Sequence, residues 1–412
     1  MSSFNVETIR KQFPMLTKMM HGKPLVYLDS AATTQKPQCV IDAICDFYSS
    51  RYATVHRAVY ELAADATFAY DMVRQSVQRF MGAQHLEEII FTRGTTESIN
   101  LVASCFSKSC LSEGDEVLIC ETEHHSNIVP WQMACKERGA KINVIPCDDN
   151  GEIDLVAFER LLHPKVKLVA VAHVSNLTGT IHPIEKIISM SHAIGAKVLV
   201  DGAQSISHME IDVKALDIDF YAFSGHKAYG PTGIGILYGK KGLLEALPPY
   251  HGGGDMVDEV RFEHTTYQKL PLKFEAGTPL IAEVIGLGAA LDFISSIGRK
   301  KIATWEHQLL DYAVKKMSSI PGLRIIGNAR NKGPIITFVV DGIHPLDLGT
   351  MLSLKGVAIR TGHMCAQPTL RKYGLTSAAR ISFGIYNTFH DVDRLIDAMQ
   401  EVMMLLRPEV SY

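Results

Sequence analysis

Two side chains that follow apolar runs could do chemistry together. Lys227 comes shortly after the run Phe220–Ser224, and Asp201 ends another apolar run further upstream. A lysine amine forms a Schiff base with an aldehyde, and an aspartate can pair with a pyridinium nitrogen and keep it protonated. The pair therefore suits pyridoxal 5′-phosphate (PLP), although either residue alone is more often a solvated lysine or a turn aspartate.

A phosphate site is predicted from the segment at residues 92–97, which follows an apolar run and opens a helical pattern. Backbone N–H groups and hydroxyls at a helix N-terminus bind anions, so Thr95 and Thr96 suit the phosphate of PLP. Thr95 as a plain helix N-cap is the alternative. Ser224 and His226, just before the lysine, are further candidates for holding phosphate oxygens.

Polar residues that follow other apolar runs could hold the ring or the substrate. In the segment at residues 121–127, His124 or His125 could stack on a pyridine ring. The two histidines could instead ligate a metal, but no further ligand lies nearby at a convincing spacing, so we predict no metal. Asn176 and Gln204 can hydrogen-bond a ring oxygen or a substrate carboxylate, or can simply shape turns.

A cysteine and two basic neighbours share a loop that contains glycine. Arg360 and His363 lie close to Cys365 in the chain, and positive neighbours lower the pKa of a thiol and favour the thiolate. An inert loop cysteine is the plain alternative. Arg380, expected at the start of a strand, offers a planar guanidinium that matches an α-carboxylate, unless it is an ordinary surface arginine.

Apolar strands that alternate with amphipathic helices must position these residues. Strands are predicted at Leu86–Thr92, Glu116–Cys120, Ile142–Pro146, Leu168–His173, Lys197–Asp201, Phe220–Ser224 and Ile234–Tyr238. Helices are predicted between them at Thr95–Ser107, Ile128–Arg138 and Pro183–Ile194. This alternation predicts an α/β fold with a mostly parallel sheet covered by helices. Ligands of such sheets bind beyond the carboxyl ends of the strands.

The pattern changes after residue 250 and predicts a smaller α+β domain. Its expected elements are helices at Glu283–Ile297, Ile302–Ser319, Leu346–Leu354 and Asp391–Leu406, strands at Ile335–Val340 and Ala379–Phe383, and a loop that runs to Pro368. We expect residues 1–20 to form an N-terminal helix, capped by Ser3 or Asn5, that packs with the small domain. Residues 21–285 then form the large PLP-binding domain, and residues 286–412 form the small domain with the cysteine loop.

Composition excludes several classes of function. The 412 residues carry 41 basic and 44 acidic side chains. The resulting net charge of −3 gives no electrostatic attraction to nucleic acid or to an acidic membrane surface. No apolar run is long enough to span a bilayer, and the N-terminus lacks the apolar core of a secretory signal. The eight cysteines form no Cys-x-x-Cys pair, so we expect reduced thiols and a cytoplasmic location.

These motifs together resemble one known family. The chain is similar to the fold-type I PLP-dependent enzymes of aminotransferase class V and, among them, to the SufS-like (group II) cysteine desulfurases. The likeness runs nearly end to end, and Arg-x-Gly-His-x-Cys is its most specific part. The motifs lie at residues 27–32, 55–57, 93–97, 123–131, 201–204, 224–227, 274–278 and 360–365.

The resemblance implies a role for each candidate residue. Lys227 would be the Schiff-base lysine and proton shuttle, Asp201 would pair with the ring nitrogen, and Cys365 would accept sulfur. The other implied contacts are His124 on the ring face, Gln204 on the ring oxygen, Thr95, Thr96, Ser224 and His226 on the phosphate, Thr278 on the phosphate of the partner subunit, and Asn176, Arg380, His56, Arg360 and His363 on the substrate.

The resemblance also implies an activity and partners. A homodimer would convert L-cysteine to L-alanine, pass sulfur to Cys365 as a persulfide, and deliver it to an acceptor protein of the SufE/SufU type for iron–sulfur cluster assembly. L-selenocysteine as substrate of a lyase reaction at the same site is the alternative. An aminotransferase would keep Lys227 and Asp201 but would not need Cys365.

The chain departs from the family pattern at two positions. Ala58 stands where the family has glycine, at the expected entrance of the active site. Met364 stands where the family has histidine, which removes one proton donor beside the nucleophile.

Overall fold

The computed structural model describes residues 4–406. Its α-helices are α1 Val6–Arg10, α2 Gln38–Asp46, α3 Glu61–Met81, α4 Thr95–Cys110, α5 Val129–Arg138, α6 Leu155–Leu161, α7 Ile184–His192, α8 Lys241–Ala246, α9 Ile281–Ile297, α10 Arg299–Met317, α11 Pro345–Leu354, α12 Gln367–Lys372 and α13 Phe389–Leu406. Its strands are β1 Met19–Met20, β2 Lys23–Pro24, β3 Val26–Tyr27, β4 Ile89–Thr92, β5 Glu116–Cys120, β6 Lys141–Ile145, β7 Val166–Ala172, β8 Lys197–Asp201, β9 Phe220–Ser224, β10 Gly235–Gly239, β11 Val257–Val260, β12 Thr265–Tyr267, β13 Leu323–Ile326, β14 Ile335–Val340, β15 Val357–Ala358, β16 Arg360–Gly362 and β17 Ala378–Ser382.

A seven-stranded sheet in the order β4-β10-β9-β8-β7-β5-β6 carries the larger part of the chain. Strand β10 is antiparallel to both of its neighbours, whereas the pairs from β9 to β6 are all parallel. Successive residues of one strand join different apolar cores: Val198 packs in one and Leu199 in the other. Because neighbouring side chains of a strand point to opposite faces, both faces are covered. The predicted mostly parallel α/β fold is confirmed.

The predicted strands of this sheet are confirmed, three of them at their predicted bounds: β5, β8 and β9. The strand expected from Leu86 begins three residues later, at Ile89. The carboxylate of Glu88 accepts the backbone N–H groups of Gln84 and His85, which holds residues 86–88 in a 3-10 turn before the strand starts.

A second, four-stranded antiparallel sheet lies in the C-terminal part, in the order β13-β14-β17-β16. Its core side chains include Leu309, Leu352 and Met399 from helices α10, α11 and α13. The predicted loop up to Pro368 is wrong, because strands β15 and β16 lie within it and helix α12 begins at Gln367. These strands are short and pair with distant segments, so they leave no periodic pattern in the sequence. Arg380 lies inside β17 and not at its start.

The N-terminal helix begins as predicted, since the side chain of Asn5 accepts the backbone N–H of Thr8 at 3.0 Å. Its predicted extent to residue 20 is wrong, because α1 ends at Arg10 and Pro14 opens a short 3-10 turn instead of continuing the helix. The alternative cap, Ser3, lies outside the described residues. Arg10 binds Asp391 of helix α13 at 2.9 Å. The expected boundary after residue 285 falls inside helix α9, and the division into domains stays a prediction.

Among residues 4–406, no single helix is long and apolar enough to cross a membrane. Helices α9 and α10 meet the length and composition criteria only when taken as a pair, and that pair is bent by 76°.

Candidate active site

A cavity of about 270 Å³ opens at the carboxyl edge of the seven-stranded sheet. Strands β4, β5, β7, β8 and β9 run in the same direction, so the segments that follow them meet at this edge. The predicted residues that line the cavity are Thr95, Thr96, His124, Asn176, Asp201, Gln204, Ser224, His226, Lys227, Arg360, Cys365 and Arg380. The fold thus brings together most of the residues singled out in the sequence.

Asp201 and Lys227 form the charged centre of this cavity. Asp201 is buried, and its Oδ1 accepts the backbone N–H of Ala203 at 2.9 Å. Burial raises the pKa of Asp201, while that N–H group and the charge of Lys227 oppose the rise. Burial lowers the pKa of Lys227 to about 8, and the charge of Asp201 limits the drop. The lysine therefore has a substantial fraction of free amine near neutral pH.

The N-terminus of helix α4 forms one wall. Ser224 Oγ accepts the backbone N–H of Thr95 and contacts Thr95 Oγ, both at 2.8 Å. Gly94 has a φ of 153° and lies against Gly235 of strand β10. The two backbones are so close that a Cβ atom on Gly235 would collide with Gly94 Cα. Thr96 contacts Ser126 at 2.7 Å through the two hydroxyls. This end of the helix carries N–H groups and hydroxyls at the cavity wall, which suits an anion.

Two histidines that line the cavity are held neutral. Burial, together with the nearby charges of Lys227 and His125, lowers the pKa of His124 to about 3. Its Nδ1 accepts the backbone N–H of Ser126 at 3.1 Å. Burial likewise lowers the pKa of His226 to about 4. An uncharged imidazole can stack on a planar ring or donate one N–H without adding charge.

Arg380 and Asn176 form a buried polar pair at the opposite side. Arg380 Nη1 donates to the backbone carbonyl of Asn176 at 2.8 Å, and Nη2 lies 3.3 Å from Asp29 Oδ1. Within the described residues, Arg380 Nε and Asn176 Oδ1 are buried without a hydrogen-bond partner. Buried polar atoms are normally paired, and both residues line the cavity, so these two atoms are available to a bound ligand. Gln204, on another wall, donates to the carbonyl of Ala31 at 2.7 Å.

The loop of Cys365 is attached to the sheet by several hydrogen bonds. Asn176 Nδ2 donates to the carbonyl of Met364 at 2.7 Å, and the backbone N–H of His125 donates to the carbonyl of Cys365 at 2.8 Å. The backbone N–H of Cys365 donates to His363 Nδ1 at 3.0 Å. Met364 and Cys365 both have positive φ values, 49° and 55°, so the chain turns sharply at the cysteine.

Two of these contacts were missed in the sequence. Asp29 lies in one of the recognised motifs, and that motif was the available signal, but its pairing with Arg380 joins residues far apart in the chain. For His125 the sequence indicates only ring stacking or metal binding. Its backbone holds the Cys365 loop, a role that no sequence pattern indicates.

Three predicted site residues lie outside the cavity lining. Thr278 lines a second cavity with Tyr250 and Glu275. His56 is exposed and its Nε2 lies 3.3 Å from Asp71 Oδ1. His363 is exposed beside the cysteine loop. Their roles toward substrate or the partner subunit stay predictions.

The chain matches known proteins over nearly its whole length. The aminotransferase class-V family matches residues 26–395. A probable cysteine desulfurase of Vibrio cholerae is 50% identical over 98% of this chain and 99% of that protein. A cysteine desulfurase of Synechococcus elongatus is 48% identical over 97% of this chain, which spans 64% of that longer protein. The crystal structure of the cysteine desulfurase CsdA from Escherichia coli, in an S-sulfonic acid form, is 41% identical with a TM-score of 0.92 over 98% of this chain and all of that one.

The matched region includes the large sheet, the cavity at its edge and the cysteine loop. The chain belongs to the aminotransferase class-V family and, within it, to the cysteine desulfurases.

Proposed function

We propose that this protein converts L-cysteine to L-alanine and holds the released sulfur on Cys365 as a persulfide. The observation that carries this proposal is that Lys227 and Cys365, which are far apart in the sequence, line the same cavity. A lysine at such a site serves PLP chemistry, and a thiol facing the same space can take sulfur from the substrate. An aminotransferase would need only the lysine.

The residues of the cavity fit PLP. When bound, PLP supplies an electron sink beside the Cα of the substrate. The amine of Lys227 would hold its aldehyde carbon, the carboxylate of Asp201 its ring nitrogen, and the neutral ring of His124 its face. Because burial lowers the pKa of Lys227 to about 8, this amine is available for covalent attachment near neutral pH.

The phosphate of PLP fits the N-terminus of helix α4. Thr95 and Thr96 supply N–H groups and hydroxyls there, and Ser224 is already hydrogen-bonded to Thr95 at 2.8 Å. His226, which the low pKa keeps neutral, would act as a donor and not as a cation. The helix dipole then provides positive potential at this end of the cavity.

The substrate carboxylate fits Arg380 and Asn176. Arg380 Nε is buried without a partner within residues 4–406, and its guanidinium matches a carboxylate in shape and charge. Lys227, once free, would remove the proton from the substrate Cα and return a proton when alanine forms. A pKa of about 8 suits an amine that must do both.

Cys365 would take the sulfur as a thiolate. Its Sγ forms a bond to the substrate sulfur while the Cβ–S bond of the substrate breaks, and the carbon gains a proton in place of sulfur. The products are L-alanine and a persulfide on Cys365, so one cysteine substrate yields one alanine and one bound sulfur. The side chain of Arg360 lines the same cavity as Cys365.

A homodimer and a sulfur acceptor complete the proposal. Exposed apolar side chains lie at Val59, Leu62 and Phe68 near helix α3 and at Phe262 between β11 and β12, and a second copy would cover such a surface. Thr278 would then reach the phosphate bound by the partner subunit. An acceptor protein of the SufE/SufU type would withdraw sulfur from Cys365 for iron–sulfur cluster assembly. A reducing cytoplasm would keep Cys365 and the other free cysteines as thiols.

The experiment is to measure alanine released from L-cysteine by purified protein with reductant, comparing wild type with Cys365→Ala. Cys39→Ala is the matched control, because Cys39 is an exposed cysteine outside the cavity. We expect many turnovers in wild type and in the control, and loss of release in Cys365→Ala. Equal release by Cys365→Ala would refute the role of this thiol. Release by none of the three proteins, although PLP is bound, would refute L-cysteine as the substrate.

A further inference from the structure

Two histidines and one cysteine meet beside the active-site cavity. In the sequence, the pair His124-His125 has no third metal ligand at a convincing spacing. The fold brings two ligands to His125, namely His363 and Cys365, from more than two hundred residues away. His125, His363 and Cys365 each offer one ligand atom, and these atoms lie within 4.8 Å of one another.

Hydrogen bonds of the backbone hold this triad in place. The N–H of His125 donates to the carbonyl of Cys365 at 2.8 Å, and the N–H of Gln367 donates to His125 Nε2 at 3.2 Å. The N–H of Cys365 donates to His363 Nδ1 at 3.0 Å, and the two imidazole centroids lie 5.6 Å apart. The fold, and not the chance orientation of surface side chains, therefore brings the three groups together.

We propose that His125, His363 and Cys365 form a binding site for Zn²⁺. A thiolate and two imidazoles are ligands that Zn²⁺ prefers, whereas Mg²⁺ and Ca²⁺ prefer carboxylates and carbonyl oxygens. The triad contains no carboxylate, so the hard cations are disfavoured. Three protein ligands leave the fourth tetrahedral position open for water or for an incoming thiol.

The site is expected to bind Zn²⁺ reversibly. Ligand atoms around tetrahedral zinc lie about 3.5 Å apart, given bonds of about 2.0–2.3 Å, so the triad must close from its 4.8 Å spread. Binding also removes the two N–H hydrogen bonds that His363 Nδ1 and His125 Nε2 now accept. A metal on the accepting nitrogen displaces the N–H donor, and a metal on the other nitrogen moves the ring proton onto the accepting one. A strong chelator should therefore remove the ion without unfolding the protein.

Zinc at this site would weaken the nucleophile. A thiolate bound to Zn²⁺ shares its negative charge with the metal and is less accessible, so it attacks sulfur more slowly, while Lys227 remains available to PLP. This consequence rests on the proposed function, because it concerns the sulfur-accepting step. Binding of the ion itself does not, since it depends only on the three side chains.

The test measures metal binding and thiol protection directly, so it does not depend on desulfurase activity. Purified holoenzyme with a phosphine reductant and no free thiol is titrated with Zn²⁺ against a chromophoric zinc chelator. Wild type, His125→Ala, His363→Ala, His363→Gln and Cys365→Ser are compared, with Cys39→Ser and His307→Ala as exposed controls. In parallel, the rate at which iodoacetamide alkylates Cys365 is followed by peptide mass spectrometry with and without Zn²⁺, and Cys39 serves as the internal standard.

We expect one Zn²⁺ per chain in wild type and in both controls, and an affinity at least tenfold lower in each triad variant. Zn²⁺ should slow alkylation of Cys365 at least tenfold, leave Cys39 unchanged, and lose its effect on addition of the chelator. Wild-type affinity in both His363 variants would overturn the proposal, as would alkylation of Cys365 that Zn²⁺ does not slow. Because these results do not involve alanine release, they separate failure of the zinc site from failure of the proposed function.

Discussion

Asn176 Nδ2 donates a hydrogen bond to the backbone carbonyl of Met364, the residue before Cys365, at 2.7 Å. The backbone carbonyl of the same asparagine accepts a hydrogen bond from Arg380 at 2.8 Å. Asn176 follows strand β7 of the large sheet, whereas Met364 and Arg380 belong to the C-terminal part. One residue at the sheet edge therefore fixes both groups: its backbone carbonyl holds the proposed carboxylate-binding arginine, and its side chain holds the loop of the proposed nucleophile.

Replacement of Asn176 should impair the position of Cys365. Asn176→Ala leaves the Met364 carbonyl without this partner, and loss of one partner of a buried hydrogen bond costs about 1–3 kcal/mol. We expect alanine release from L-cysteine to fall about tenfold to a hundredfold on this basis, with PLP still bound. Steady-state kinetics of Asn176→Ala and of Asn150→Ala, an exposed turn residue, make the comparison. Equal kcat and KM in wild type and Asn176→Ala would contradict the positioning role.

The charge state of His124 gives a prediction about pH. Burial and neighbouring positive charges lower its pKa to about 3, so its ring stays neutral at every pH between 5 and 8. His124→Phe keeps a flat neutral ring and should leave the shape of the pH–rate profile unchanged over that range, whereas His124→Ala should lower the rate through loss of stacking. An acid limb that shifts in His124→Phe would show that the histidine titrates during the reaction.

The large sheet could be predicted because its strands are continuous apolar runs. Lys197–Asp201 and Phe220–Ser224 are buried on both faces, so burial alone makes them visible in the sequence. The short strands β15 and β16 could not be predicted in this way. Strand β16 contains Arg360 and Gly362 and exists because it pairs with Ala378–Arg380, a contact that local residue patterns do not encode.

The candidate site was predictable where residues follow strands, and less so where distant loops meet. Lys227 and Asp201 each follow or end an apolar strand, so the rule for carboxyl ends of parallel strands places them together. The meeting of His125 with Cys365 depends on how the C-terminal part packs against the sheet edge. No local residue pattern links His125 to a cysteine more than two hundred residues later, so the sequence does not indicate this cluster.

Burial of Lys227 gives a prediction about stability. Its pKa in the folded protein without PLP is about 8, below the ordinary value of 10.5, so the unfolded chain holds this proton more tightly. Below pH 8 the buried positive charge of Lys227 therefore destabilises the folded state. The free energy of unfolding rises as the pH increases from about 8 to 10.5.

Lys227→Met should remove this cost. The drop in the pKa of Lys227 from 10.5 to about 8 sets an upper limit of about 3 kcal/mol on the increase in the free energy of unfolding at pH 7. Loss of the cation beside Asp201 reduces this increase. Urea unfolding of the PLP-free proteins at pH 7 and pH 10.5 measures the gain, with Lys300→Met as the exposed control. The variant should be more stable at pH 7 and lose most of this advantage at pH 10.5. A difference that does not change with pH would argue against titration of Lys227 as its source.

The ion pair between Arg74 and Glu275 gives the last prediction. Arg74 Nη1 lies 2.8 Å from Glu275 Oε1, and Nη2 lies 2.9 Å from Oε2, with side chains only 7% and 6% exposed. Arg74 also donates to the carbonyl of Ile89, and its Cζ lies 4.2 Å from the ring centroid of Phe91, at the start and middle of strand β4. The pair therefore attaches helix α3 to the sheet and to the segment that leads to helix α9.

Arg74→Ala should destabilise the protein by about 3–5 kcal/mol, because it leaves the Glu275 carboxylate buried without its cation. The matched control is Arg51→Ala. Arg51 lies 2.7 Å from Asp46, but both side chains are about half exposed, and exposed pairs contribute about 0–1 kcal/mol. Chemical unfolding of both variants measures the difference. The double variant Arg74→Met, Glu275→Leu should recover only part of the loss. It removes both charges, but it leaves the Ile89 carbonyl and the Phe91 N–H, which these two side chains bind, without their partners. Equal losses for Arg74→Ala and Arg51→Ala would show that burial does not set the strength of this pair.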